Sequence, residues 1–425
     1  MSAASITETP AVDRPLLGVH VLFVAASLDT KTREGREARA LAEAGATVEF
    51  LGIGETVPAH LQDTSFPVTL VPDIGIPPRW SQLRWKWACH IVNRLFWIPR
   101  MKFLHAKGAR NPLLIEKGKT LRADVVHAAD LMILREAACI ARSLKAKLVY
   151  DMHEYWRGHV KSPLLDTLPE YATRLIATEN KYISRANLVL VTSETMKDRI
   201  IEDHGPLPCH VLYNAPWTYV TANTPVNTPL RFVHLGVIVL DRNIHELLNA
   251  FSRVYGACEL HLHGGLWGNV SPEQMDELLA KYQGTCPVFY HGEYAHSDIS
   301  TILANYDVGV YTATAIDGNF DVTLPNKLFD YLCNGLAVVM PPFESIERIL
   351  ADAPCGVTVD TSSTEAIATC LQGFVDSPEL VEAYKKEAVA HASQYAYPEQ
   401  AKKLVAAYAD MMDRNTHRIA RKARA

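Results

Sequence analysis

The chain has 425 residues, 48% hydrophobic and 21% charged, the balance of a globular protein with room for two or three domains. A formal net charge of −5 excludes general nucleic-acid binding, and the eight cysteines form no C-x-x-C pair, which argues against a zinc site or a disulfide framework and fits a reducing cytosol. The polar N-terminus lacks the layout of a signal peptide and no apolar run is long enough to span a bilayer, so a cytoplasmic protein is expected.

An unbroken apolar run at 19–25 has the pattern of a parallel strand covered on both faces. The pattern predicts a helix over 32–44, stopped by Gly45, and a second strand over 47–51. The turn after the first strand reads Ala-Ser-Leu-Asp-Thr, so the glycine-rich dinucleotide fingerprint is missing.

Between Arg79 and Arg110 stand eight Lys or Arg residues and no acid, interleaved with Trp80, Trp85, Trp87 and Trp97. Cations for anionic head groups and indoles for the water–hydrocarbon boundary are the ingredients of an interfacial membrane helix, which implies peripheral attachment to the inner face of the membrane. The alternative is a helical excursion that packs its tryptophans on the domain.

Alternation of strand and helix resumes at 124–127 and continues through strands at 147–150, 188–191 and 210–213. It implies a doubly wound parallel sheet with ligands at the carboxyl ends of its strands. His127, Asp130, His153 and Glu154 fall at such ends and are the titratable candidates of this half. His153-Glu154 lacks the spacing of a helical metal motif, so no metal is expected.

A linker rich in Pro, Thr and Asn occupies 215–230, and a second α/β run follows, with strands near 231–235, 259–263, 287–290, 307–311, 336–340 and 356–359. Two similar domains set the carboxyl ends of two sheets across a cleft. On the second domain Gly236 ends a strand, and Arg242 opens a helix where a guanidinium can pair with phosphate. Gly264-Gly265 permits close backbone approach and Tyr294 can stack on a base. The densest site is 323–340, read as helix start, helix, Asn-Gly stop and apolar strand. Lys327 at the helix N-terminus suits a phosphate, and Asp330, nearly one turn on, suits a ribose diol.

The stretch LPNKLFDYLCNGLAVV at 324–339 resembles a P-N-K-L-F-E-Y variant found among GT-B glycosyltransferases, in particular the retaining, nucleotide-sugar-dependent family 4. The segments 242–250, 213–216 and 151–154 are similar to the family as well, and Tyr397-Pro398 with the last helix is similar to its crossover onto the N-terminal domain. The resemblance implies two Rossmann-like domains, an acceptor domain at 1–218 and a donor domain at 219–395, with 396–425 packing back on the first. It implies a metal-independent, retaining transfer of sugar from a UDP- or GDP-sugar to a glycan or lipid-linked acceptor, the nucleotide-sugar being co-substrate and no cofactor being needed.

By the same resemblance Asp330 binds the donor ribose, and Arg242 and Lys327, with Asn326 and the backbone at Gly236, hold the diphosphate. Tyr294 lies near the base, and Asp317, Asn319 and Asp321 meet sugar hydroxyls. Asp130, His153 and Glu154 are the catalytic candidates, orienting the acceptor or steadying the sugar. The sequence departs from the family where Thr323 replaces the first of two glutamates and Val237 the usual arginine. The competing readings are an epimerase of the same fold and a catalytically silent sugar-nucleotide-binding scaffold. For the basic segment, combining Trp85→Ala and Trp87→Ala with Arg84→Glu and Lys86→Glu is expected to abolish flotation with anionic vesicles; flotation that persists would favour the packed excursion.

Overall fold

The computed structural model describes residues 14–26, 32–57, 66–72, 111–161, 169–239, 243–266 and 270–423. Trp80, Trp85, Trp87, Trp97 and Arg242 lie outside the described residues. The first half runs β1 His20–Ala25, α1 Thr32–Glu43, β2 Thr47–Ile53, β3 Val68–Val71, α2 Pro112–Gly118, β4 Val125–Ala129, α3 Leu131–Leu144, β5 Lys147–Asp151, α4 Pro169–Tyr182, β6 Leu188–Val191, α5 Glu194–His204 and β7 Cys209–Val211. The second runs β8 Leu230–Leu235, α6 Ile244–Phe251, β9 Cys258–His263, α7 Pro272–Lys281, β10 Val288–Tyr290, α8 Ile299–Leu303, β11 Val308–Val310, α9 Asn326–Cys333, β12 Ala337–Met340, α10 Glu344–Asp352, β13 Gly356–Thr358 and α11 Thr364–Asp376. Two helices close the chain, α12 Pro378–Tyr395 and α13 Tyr397–Ala423.

The strands form two wholly parallel sheets, ordered 3-2-1-4-5-6-7 and 10-9-8-11-12-13. Parallel sheets need cover on both faces, and the central strands supply the side chains for it: every residue of β4, β6 and β12 is buried. In each sheet the order reverses beside its first strand, at β1/β4 and at β8/β11, and the loops there open a crevice at the carboxyl ends. Strand β3 and helix α2 were not expected from the sequence; both are short, and Val68–Val71 is a four-residue run with no periodicity to announce it.

The last two helices belong to different halves. Helix α12 packs Ala388, Ala392 and Tyr395 into the core of the second sheet. Helix α13 returns to the first, where Tyr397, Leu404, Tyr408 and Met411 share a core with Val21, Phe23 and Leu41. Among the described residues no helix is long and apolar enough to cross a membrane.

A buried ion pair fastens α12. The Lys385 ammonium lies 2.8 Å from Asp307, with side chains 1% and 0% exposed. Asp307 also accepts hydrogen bonds from the Asn227 side chain and from the Asn227 and Arg231 backbone N–H groups. One carboxylate thereby ties the end of the linker, the first strand of the second sheet and α12 together. Removing it strands a buried ammonium, so Asp307→Ala is expected to cost about 3–5 kcal/mol in denaturant unfolding; a loss near that of a surface substitution would show that Lys385 finds water.

Candidate functional site

Helix α9 buries Leu328, Phe329, Tyr331 and Leu332 in the core of the second half, and Tyr331 sets its closest approach to the sheet. The Tyr331 ring covers Gly309, where an added Cβ would fall 2.2 Å from the ring, and its hydroxyl accepts the Leu235 N–H at 2.9 Å. Any side chain at 309 would lift the helix. Pro325 starts α9 in extended geometry with no side-chain cap, and the Leu328 N–H of the first turn donates to the Pro325 carbonyl at 3.1 Å. So seated, α9 lays Lys327 over Gly236: an added Cβ there would fall 2.7 Å from the ammonium, and the residue has a φ of +116°. The ammonium also stands 4.9 Å from the centroid of the Tyr311 ring.

Asp330, one turn further along α9, is 9% exposed. Burial lifts its pKa to about 6, against the pull of Arg36 and then Lys327. Gly264 brings the end of β9 against that of β8, since its Cβ would lie 1.9 Å from the Gly236 carbonyl oxygen. Tyr294 is half-buried against the core, and its hydroxyl is pushed up to about 12 by burial and by Asp330.

The first half presents a buried charge cluster behind its wall of the cleft. The Arg33 guanidinium donates to both oxygens of Asp151, at 2.8 and 2.9 Å, and pairs with Glu37 at 3.0 Å. His153 Nε2 stands 2.8 Å from Asp151, and His127 Nδ1 stands 2.6 Å from the Tyr408 hydroxyl of α13. Burial opposes charge on Asp151, but Arg33 and His153 hold its pKa well below the carboxylate range; burial likewise opposes charge on His153, and Asp151 raises it. Glu37, His127 and Asp151 place three metal-type ligand atoms within 4.8 Å of one another. The positive charge among them is already the Arg33 guanidinium.

The two halves also meet along a seam at the far lip of the cleft. His159 Nδ1 stands 2.7 Å from Asp317, and its Nε2 3.5 Å from Glu154. Asn319 accepts the Tyr155 N–H at 2.7 Å and donates to Glu154, and the Gly318 N–H donates to the Gly158 carbonyl at 3.2 Å. Gly158 permits this approach, because a Cβ would come within 2.5 Å of the Asn319 backbone.

Between these features lies a cavity of about 490 Å³. It brings together His153, Glu154, Asn319, Asn326 and Lys327 of the expected residues, and adds Arg33, Glu34, Thr192, Asn214, Tyr311 and Thr323. Asp130 is not on its wall: the carboxylate caps α3 through the Leu131 N–H at 2.7 Å and accepts the Trp156 indole N–H at 2.9 Å. Asp317 is engaged in the seam, and Asp321 is exposed and outside the cavity lining. Asp330, Tyr294 and Gly236 are not among the lining residues; Gly236 and Asp330 adjoin Lys327, and Tyr294 adjoins Asp330. The charged residues of α1 escaped the sequence reading, since Arg33, Glu34 and Glu37 read as the solvated face of an amphipathic helix.

Two parallel α/β sheets facing across a cleft, with a lysine and glycines at the strand ends of the second, are the architecture of a GT-B glycosyltransferase. Solved structures of this fold match nearly the whole chain. HepE of Anabaena in complex with UDP-glucose is 15% identical over 92% of this chain and 99% of that one, with a TM-score of 0.65. Sucrose-phosphate synthase of Thermosynechococcus elongatus is 14% identical over 93% and 99%, with a TM-score of 0.66. The lipopolysaccharide outer core galactosyltransferase WaaB is 14% identical over 92% and 99%, with a TM-score of 0.61. No curated protein sequence matches the chain significantly. The chain belongs to the glycosyltransferases, with a glycosyl transferase 4-like domain matched over 31–215 and a glycosyl transferases group 1 domain over 229–377. It is an enzyme of that class.

The seam has a pH signature. Burial works against a charged His159, but hydrogen bonds to Asp317 and Glu154 raise its pKa to about 9. Its contribution to stability is therefore complete below the ordinary imidazole range and is lost as pH rises through about 9. The melting-temperature gap between wild type and His159→Gln is expected to be widest in mildly acidic buffer and to close in alkaline buffer; a gap that stays constant would mean that the ring acts by packing alone.

Proposed function

We propose that this enzyme transfers a sugar from a UDP- or GDP-sugar to a glycan or lipid-linked acceptor, with retention at the anomeric carbon and without a metal ion. The observation that carries the reading is the placement of Lys327 over Gly236 at the uncapped start of α9, with Asp330 a turn behind. An ammonium at the positive end of a helix suits a diphosphate, and a carboxylate one turn further on suits the ribose diol. HepE, one of the solved structures of the same fold, is described in complex with UDP and with UDP-glucose, which supports the same donor class here.

The leaving diphosphate gathers negative charge as the glycosidic bond breaks. Lys327 and the α9 N-terminus are preorganised where that charge develops, which is the arrangement that accelerates such a step most. Arg242 is given the same task by resemblance alone. A donor phosphate oxygen takes the acceptor proton on the same face, so no side chain need act as base. His153, Glu154 and Asn319, on the cavity wall, hold sugar or acceptor hydroxyls. The basic, tryptophan-bearing segment 79–110 sets the acceptor at the inner face of a membrane.

A panel of nucleoside diphosphates scored by thermal shift selects the base, since a ligand that binds only the folded state raises its stability by about 2.7 kcal/mol at 100 times its dissociation constant. Lys327→Ala is expected to lower turnover by about 10²–10³-fold, and Asp330→Ala to abolish the nucleotide-induced shift with the fold intact. Unchanged nucleotide affinity in both variants would overturn the assignment. With donor alone, slow release of free sugar supports transfer; interconversion of sugar nucleotides would mark an epimerase and binding without turnover a scaffold.

A further inference from the structure

Arg36 belongs to α1 of the first half, yet its guanidinium serves the second. One terminal nitrogen donates to Asn214 in the segment joining the halves, and Asn214 Nδ2 donates to Asn326 Oδ1 at 2.9 Å. Asn326 is the first residue of α9. The guanidinium sits 5.5 Å from the centroid of the Tyr397 ring, and its Nε is buried with no hydrogen-bond partner among the described residues. Asp330 lies four residues beyond Asn326, on the same face of the helix.

We propose that Arg36 is a positioning residue of the donor site: bridged to the start of α9 through Asn214 and Asn326, it presents Asp330 to the donor ribose as a carboxylate. This rests on Asp330 as the ribose ligand. An ionised carboxylate accepts hydrogen bonds from both hydroxyls of a diol, whereas the protonated acid spends one oxygen as a donor. The groups that face Asp330 are Arg36 from α1, Lys327 one turn back, Tyr294 after β10, and Tyr331 and Cys333 on its own helix. Burial keeps the two phenols and the thiol neutral, so the opposing charges are Arg36 and Lys327, with Arg36 the larger. His296 also feels Arg36, and burial and then that guanidinium lower its pKa. Because Arg36 stands on the opposite half from Asp330, the ribose ligand is fully competent only while the halves are together.

The test is the pH dependence of UDP affinity by calorimetry, or of GDP where the panel selects it, in wild type, Arg36→Gln, Arg36→Lys and Asp330→Asn. Wild-type affinity is expected to fall as pH drops through about 6. Arg36→Gln moves that fall up by roughly one pH unit, so that affinity is about fivefold weaker near pH 6 and close to wild type in mildly alkaline buffer. Arg36→Lys keeps the wild-type profile. Equal weakening of Arg36→Gln at every pH, or an unshifted profile, overturns the role of Arg36. Asp330→Asn with full affinity and an unaltered acid limb overturns the ribose assignment, and this proposal with it.

Discussion

The buried guanidinium of Arg33 is the interaction on which the first half of the site depends. It joins α1 to the carboxyl end of β5 through Asp151 and donates at 2.9 Å to the Leu212 carbonyl, where the chain leaves the first sheet. Taking those charges out of water is expensive, and only multiple hydrogen bonds in good geometry repay it. Every group that surrounds Arg33 is therefore held tightly: Glu37 on the same helix, His153 on the cleft wall, and His127, which passes the constraint to Tyr408 of the last helix. Burial and then the neighbouring Asp151 push the Glu37 pKa well above its usual range, against the pull of Arg33.

In the second half the position of α9 comes from packing. Tyr331 needs a bare backbone at Gly309 and the Lys327 stem needs one at Gly236, so two glycines and one phenol set the height of α9 above the sheet. That height decides which atoms a ligand meets first. The two halves thus use different physics for the same end, an ionic cluster on one side and steric fit on the other.

Much of this was legible in the sequence. Buried parallel strands print as continuous apolar runs, so the two sheets and their alternation with helices could be read from 19–25, 188–191 and 336–340. Helix α9 was legible because a proline opens it and Asn-Gly closes it ahead of an apolar strand. The residues of α1 were not, because a helix face carrying Arg33, Arg36 and Glu37 looks the same whether it meets water or a neighbouring domain. The partners of Asp130 were hidden for a related reason: a carboxylate at a strand end can serve a site or cap the next helix, and only the fold brings it to the Leu131 N–H and the Trp156 indole. The seam at Asp317 and Asn319 joins residues about 160 apart in the chain, and no local pattern encodes such a pairing.

The return of α13 to the first sheet means that the chain passes between the halves twice, after β7 and again between α12 and α13. The two passages touch, for the Tyr397 N–H donates to the Pro216 carbonyl at 2.8 Å, and Trp217 packs on the Tyr397 ring with centroids 4.9 Å apart. A single connector would let one half swivel freely on the other. Two connectors bonded at one point act instead as the knuckle of a door, restricting how one half can turn against the other.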